Sequence, residues 1–172
     1  MRFVILLILV SVALIGCSGT ASNTASNSAA NPTNTVATGT PAPKVVYTGG
    51  GVKQLKELAG RRVREIELWD SKDIDTRLGK LMGGDDYAAM KNAWLVESPI
   101  AAEGDILMMA GCAQDNCAGN QYVMFVDVAK DNFNVQHFKD GKPKVYKEKG
   151  DIVLPEKFVS ELDTMKTASG VK

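Results

Sequence analysis

The sequence predicts an α+β fold, a central antiparallel β-meander sheet with flanking helices. Helical apolar spacing occurs in the first half of the folded region and again near its end, short apolar runs cluster between, and the turns joining those runs are brief. The chain has 172 residues, 45% hydrophobic and 23% charged, enough for one ordinary core plus attachments. Its 20 Lys+Arg balance 20 Asp+Glu, so it lacks the basic excess that would hold a nucleic acid.

The first two segments lie outside any fold. Phe3 to Ile15 is almost unbroken apolar sequence behind Arg2, interrupted by Ser11. A membrane span needs about 20 apolar residues, so this shorter run reads as the core of an export signal. It ends in Leu14-Ile15-Gly16-Cys17, which resembles the bacterial lipobox. The resemblance implies cleavage before Cys17 and lipidation of that residue with palmitate-type chains, hence membrane attachment through the N-terminal lipid. An ordinary signal peptide with an incidental cysteine is the alternative. Ser18 follows where an Asp would direct inner-membrane retention, which implies the periplasmic side of the outer membrane in a Gram-negative host. From Ser18 to Pro43 every residue except Val36 is Ser, Thr, Asn, Ala, Gly or Pro. That composition cannot offset chain entropy by burial, so it reads as a flexible tether reaching on the order of 28 Å. The chain therefore divides into a signal peptide at 1–16, a lipidated cysteine and tether at 17–43, and one domain at 44–172.

Within the domain, Val52 to Ala59 predicts a short helix stopped by Gly60. Val63 to Trp69 alternates well enough to predict a strand. Asp73 is placed to cap a helix carrying Ile74, Leu78, Leu81 and Met82, with Gly83-Gly84 ending it. Asp85 is placed to cap a second helix through Tyr87, Met90 and Trp94, and Pro99 breaks the chain. Four apolar runs then predict strands: Ile106 to Ala110, Tyr122 to Val128, Phe133 to Lys139 and Val145 to Lys147, with a fifth at Ile152 to Leu154. Phe133, Val135 and His137 share one face of theirs. Asp140-Gly141 is a hairpin signal. Pro155 opens a last helix with Phe158, Val159, Leu162 and Met165 on one face.

The specific motif lies between the first two meander strands and reads Gly111-Cys112-Ala113-Gln114-Asp115-Asn116-Cys117-Ala118-Gly119-Asn120. With Cys17 assigned to lipid, two of the three cysteines remain, and an exported protein meets an oxidising compartment. Cys112 and Cys117 are therefore expected to form a disulfide. Closing so small a loop contributes only about 2 kcal/mol. It suits a rigid hairpin tip, with the four intervening side chains splayed outward.

A strand, Cys-x4-Cys and a second strand resemble the inhibitor of vertebrate lysozyme (Ivy) family. Trp94 and Pro99 upstream, Met109-Ala110-Gly111-Cys112, and Asn120-Gln121-Tyr122-Val123-Met124-Phe125 follow the same order, so the register extends over Asp73 to Val135. The resemblance implies a sheet flanked by helices, an envelope location, and a bridged loop that blocks a lysozyme's substrate cleft. The family loop typically reads Cys-Lys-Pro-His-Asp/Asn-Cys, with its histidine near two catalytic carboxylates. Here those positions are Ala113, Gln114 and Asp115, and only Asn116 and the cysteines fit. An imidazole donates to a carboxylate, whereas a carboxylate at Asp115 only accepts and repels a like charge. Gln114 and Asn116 keep amide donors.

Other candidates have plainer readings. Cys112 and Cys117 as a redox pair lack the two-residue spacing, and as metal ligands they lack a nearby His, so neither a metal nor another cofactor is expected. His137, the single histidine, sits as a sheet residue, and no Gly-x-Ser-x-Gly elbow accompanies it. Asp85-Asp86 reads as helix capping before glycoside chemistry. Arg61-Arg62 with Arg64 reads as a solvated edge. The expectation is thus a non-enzymatic, lipid-anchored envelope protein that binds or inhibits a lysozyme or related peptidoglycan-cleaving enzyme through Ala113, Gln114, Asp115 and Asn116. The alternatives are a non-inhibitory envelope module of the same fold and, on a thin inventory, a hydrolase.

Overall fold

The computed structural model describes residues 44–171. Helices α1 (Gly51–Glu57), α2 (Lys72–Met82) and α3 (Gly84–Ala93) precede six strands, β1 (Val96–Glu97), β2 (Ala101–Glu103), β3 (Ile106–Cys112), β4 (Asn120–Asp127), β5 (Asn132–Lys139) and β6 (Lys142–Lys147), and α4 (Glu156–Ala168) closes the order. The α+β meander expected from the sequence is what forms. All pairings are antiparallel: β1 and β2 both pair with β3, and β3, β4, β5 and β6 follow in sequence.

Both faces of β3 and β4 are covered, which explains why these two strands read as continuous apolar runs; β5 interleaves polar residues, and β6 is exposed except at Tyr146. Along β4, Tyr122, Met124 and Val126 pack toward α2 and α3 with Leu78, Met90 and Trp94. Their neighbours Val123 and Phe125 pack on the opposite side against Phe158 and Leu162 of α4. Each such side chain withdrawn from water contributes about 1.5–3 kcal/mol.

Several local expectations need correction. Val63 to Trp69 is not a strand. It makes successive turns, with Ile66 N–H donating to Arg62 C=O and Leu68 N–H to Val63 C=O, and ends in a 3-10 turn at Leu68–Asp70. Val63, Ile66 and Leu68 are the fully buried positions, a 3-then-2 spacing that no pleated strand presents to one side. Ile152 to Leu154 is irregular, and only Ile152 is buried. Asp73 and Asp85 lie inside the first turns of α2 and α3; the N-cap positions belong to Ser71 and Gly83. Asp73 instead accepts hydrogen bonds from the Ser71 and Tyr47 hydroxyls. Val159 of α4 faces away from the core, at 43% exposure. Strands β1 and β2 are additional, too short and too polar to register as apolar runs.

Candidate functional site

The end of the β3–β4 hairpin is rigid at its root. Trp94 follows α3 and is buried, and its indole lies so close over Gly111 that a Cβ there would overlap the ring. Only glycine fits this point of β3. The Trp94 Nε1–H donates to Glu97 at 3.1 Å, and Trp69 meets the Trp94 ring edge-on with centroids 5.2 Å apart. Burial pushes the Glu97 carboxyl up, against hydrogen bonds from Arg64 N–H and Trp94. Leu95 N–H donates to Cys112 C=O at 3.0 Å, which ties the segment after α3 to the base of the loop.

The loop itself is closed by the expected disulfide between Cys112 and Cys117, with Cα atoms 4.9 Å apart. Inside it, Asn116 N–H donates to Ala113 C=O at 3.1 Å, and Asn120 N–H to Asn116 C=O at 2.9 Å. Asp115 stands at the tip with φ +59°, a left-handed conformation that Asp and Asn tolerate better than most residues. The four intervening side chains are not equivalent, contrary to the outward splay expected. Ala113 packs against the core cluster on the helical side. The Asn116 side chain folds over Gly119, where a Cβ would overlap it. Gln114 and Asp115 are exposed and untethered at the tip. Beside the bridge, Leu95 and Val96 each remain 47% exposed and form an apolar shoulder.

Over residues 73–168 the chain matches the sequence model of the family described as Inhibitor of vertebrate lysozyme (Ivy). This chain belongs to the Ivy family. The match includes the bridged loop, every strand and α4, so the loop belongs to the domain shared with the family. No curated protein and no solved structure matches the chain.

The remaining sequence candidates fall elsewhere. Cys17, with the lipobox and tether, lies outside the described residues. Asp85 and Asp86 both lie in the first turn of α3, and Asp86 accepts from Lys144 Nζ at 2.6 Å and from the Tyr146 hydroxyl at 3.0 Å. Arg61 pairs with Glu65 on the surface, while Arg64 N–H approaches Glu97. His137 stacks on Tyr122 and its Nε2 lies 2.8 Å from Asn120 Oδ1. Among the described residues no group of three or more His, Cys, Asp or Glu is arranged to hold a metal, and no helix is long and apolar enough to cross a membrane. The Trp94–Gly111 contact and the Asn116–Gly119 contact escaped the sequence reading. Glycines at strand ends flanking a cysteine bridge were the available signal.

Proposed function

We propose that this Ivy-family chain is a lipid-anchored envelope protein that inhibits a lysozyme by inserting its bridged loop into the enzyme's substrate cleft. One observation carries the proposal: the loop is fixed at its root by Trp94 on Gly111 and at its neck by the disulfide, yet holds Gln114 and Asp115 free at the tip. A tip ordered before binding loses little entropy on entering a cleft. The Leu95–Val96 shoulder adds apolar area around it.

The tip chemistry differs from a histidine loop and suits a two-carboxyl active site in another way. Glycosidases keep one carboxyl ionised and one protonated as general acid. Gln114 donates its amide N–H to the ionised carboxylate, and the Asp115 carboxylate accepts from the protonated acid. This pairing requires the enzyme's proton, so inhibition weakens as pH rises through the general acid's pKa. Asp115→Asn, which tolerates the same backbone conformation, flattens that dependence. In a Gram-negative host, Cys17 and the tether at 17–43 would hold the domain 44–172 off the outer membrane on its periplasmic side.

The test is direct. Cell-wall lysis by several lysozyme types is measured with and without the full chain. Inhibition at micromolar concentration supports the reading. Absence of both inhibition and binding for every type overturns it in favour of a non-inhibitory module.

A further inference from the structure

A second polar site lies at the same end of the sheet, on the β5–β6 side of the loop's base. The β4–β5–β6 register sets three rows of side chains on the face that carries α3. The innermost is Met124, Val135 and Tyr146; the next is Tyr122, His137 and Lys144; the outermost is Asn120, Lys139 and Lys142. The inner row belongs to the core. Beyond it the helical layer stops and the strands continue, leaving a cleft of about 480 Å³ with Asp86 and Ala89 of α3 as its wall. Small-molecule sites typically have volumes of about 300–1,000 Å³.

Charge in this cleft is unbalanced in one direction. Three lysines and two carboxylates line it: Asp86 neutralises Lys144, and Asp140 at the turn leaves an excess of one positive charge. Lys139 and Lys142 face each other across the hairpin, exposed and without an ion-pair partner among the described residues. Two unpaired like charges directly opposite on a sheet destabilise it. His137 forms the floor, stacked on Tyr122 at 3.8 Å with planes 8° apart and bonded to Asn120. We infer that this cleft binds an oxyanion, a carboxylate or phosphate group on a small molecule, held between Lys139 and Lys142 with the body of the ligand against His137.

The groups facing His137 fix the sign of the coupling. Burial, then Lys139, lowers its pKa; Asp86 opposes them and Lys144 adds to them, while Tyr122 and Tyr146 stay neutral near pH 7 and Asp140 lines the turn. An anion between the lysines cancels part of their effect and raises the His137 pKa. Binding therefore tightens as pH falls through the His137 titration, which lies below the ordinary histidine range.

Because His137 is the single histidine, its imidazole resonance reports this site alone. The full chain is titrated with inorganic phosphate and, separately, with glucuronate, at constant ionic strength set by chloride. The expected result is a saturable His137 shift and a raised His137 pKa with at least one probe, with affinity falling about tenfold or more in Lys139→Gln/Lys142→Gln. Phosphate-only or glucuronate-only saturation identifies the oxyanion. Both lysines are exposed, so the fold survives this change, and an unaltered loop leaves lysozyme inhibition in place. A response that merely follows chloride, or saturation indifferent to the lysine pair, overturns the inference.

Discussion

The two ends of strand β4 are built differently. At its far end the turn into β5 is tied to the rest of the fold. Arg77 of α2 reaches it, bonding Glu148 through Nε at 2.6 Å and Nη2 at 2.8 Å, and Asp131 through Nη1 at 2.6 Å. The Arg77 guanidinium also lies over the Phe133 ring, 4.5 Å from its centroid. At the near end, the bridged loop is tied to the fold at its root, by Trp94 on Gly111, Leu95 on Cys112 and Asp140 N–H on Gly119 C=O, while above the root it is held by the disulfide and by Asn116 over Gly119. The first turn uses its charges for stability and has none to spare. The second keeps Gln114 and Asp115 unpaired, which is the condition for contacting another molecule.

Ways to break this contrast rank by expected effect. Gly111→Ala drives a methyl into the Trp94 indole at the root shared by loop and core, and costs about 3 kcal/mol in chemical denaturation. Arg77→Met leaves Glu148 half-buried without its partner, and costs about 2–3 kcal/mol. Its pH signature follows from the carboxylates. Burial pushes Glu148 up, but Arg77 and the Phe133 N–H outweigh it and hold it low; hydrogen bonding from Arg77 holds Asp131 low. Groups with lowered folded pKa contribute stability above their ordinary values, lost as pH falls through the folded ones. Unfolding free energy of the unaltered chain therefore drops below about pH 4.5, and the Arg77→Met curve is flatter in that window. Cys112→Ser/Cys117→Ser costs about 2 kcal/mol, measured by thermal unfolding, and loosens the tip far more than the core.

How legible this was in the sequence depends on the kind of interaction. Strands β3 and β4 were readable because burial on both faces writes an apolar run, and β5 because Phe133, Val135 and His137 recur at every second residue between turn signals. Val63 to Trp69 misled because its buried residues belong to turns, whose spacing imitates alternation over a short stretch. The cysteine bridge was readable from the cysteine count together with the export expected from the N-terminal segment. Its supports were not, since Trp94 on Gly111 joins residues on different elements and no local periodicity announces such a contact. The cationic rows around His137 were equally hidden, because they exist only through the β4–β5–β6 register.

The smallest expected effect on stability comes from the loop tip, and the same substitution tests most directly whether the bridged loop inhibits. Replacing Ala113 to Asn116 with Gly and Ser, cysteines retained, is compared with the unaltered full chain in stability and in inhibition of cell-wall lysis. The expected stability change is within about 1 kcal/mol, since most of these side chains are exposed, together with at least about a tenfold loss of inhibition. Undiminished inhibition by the substituted chain would rule out the bridged loop and place the inhibitory surface elsewhere on the domain.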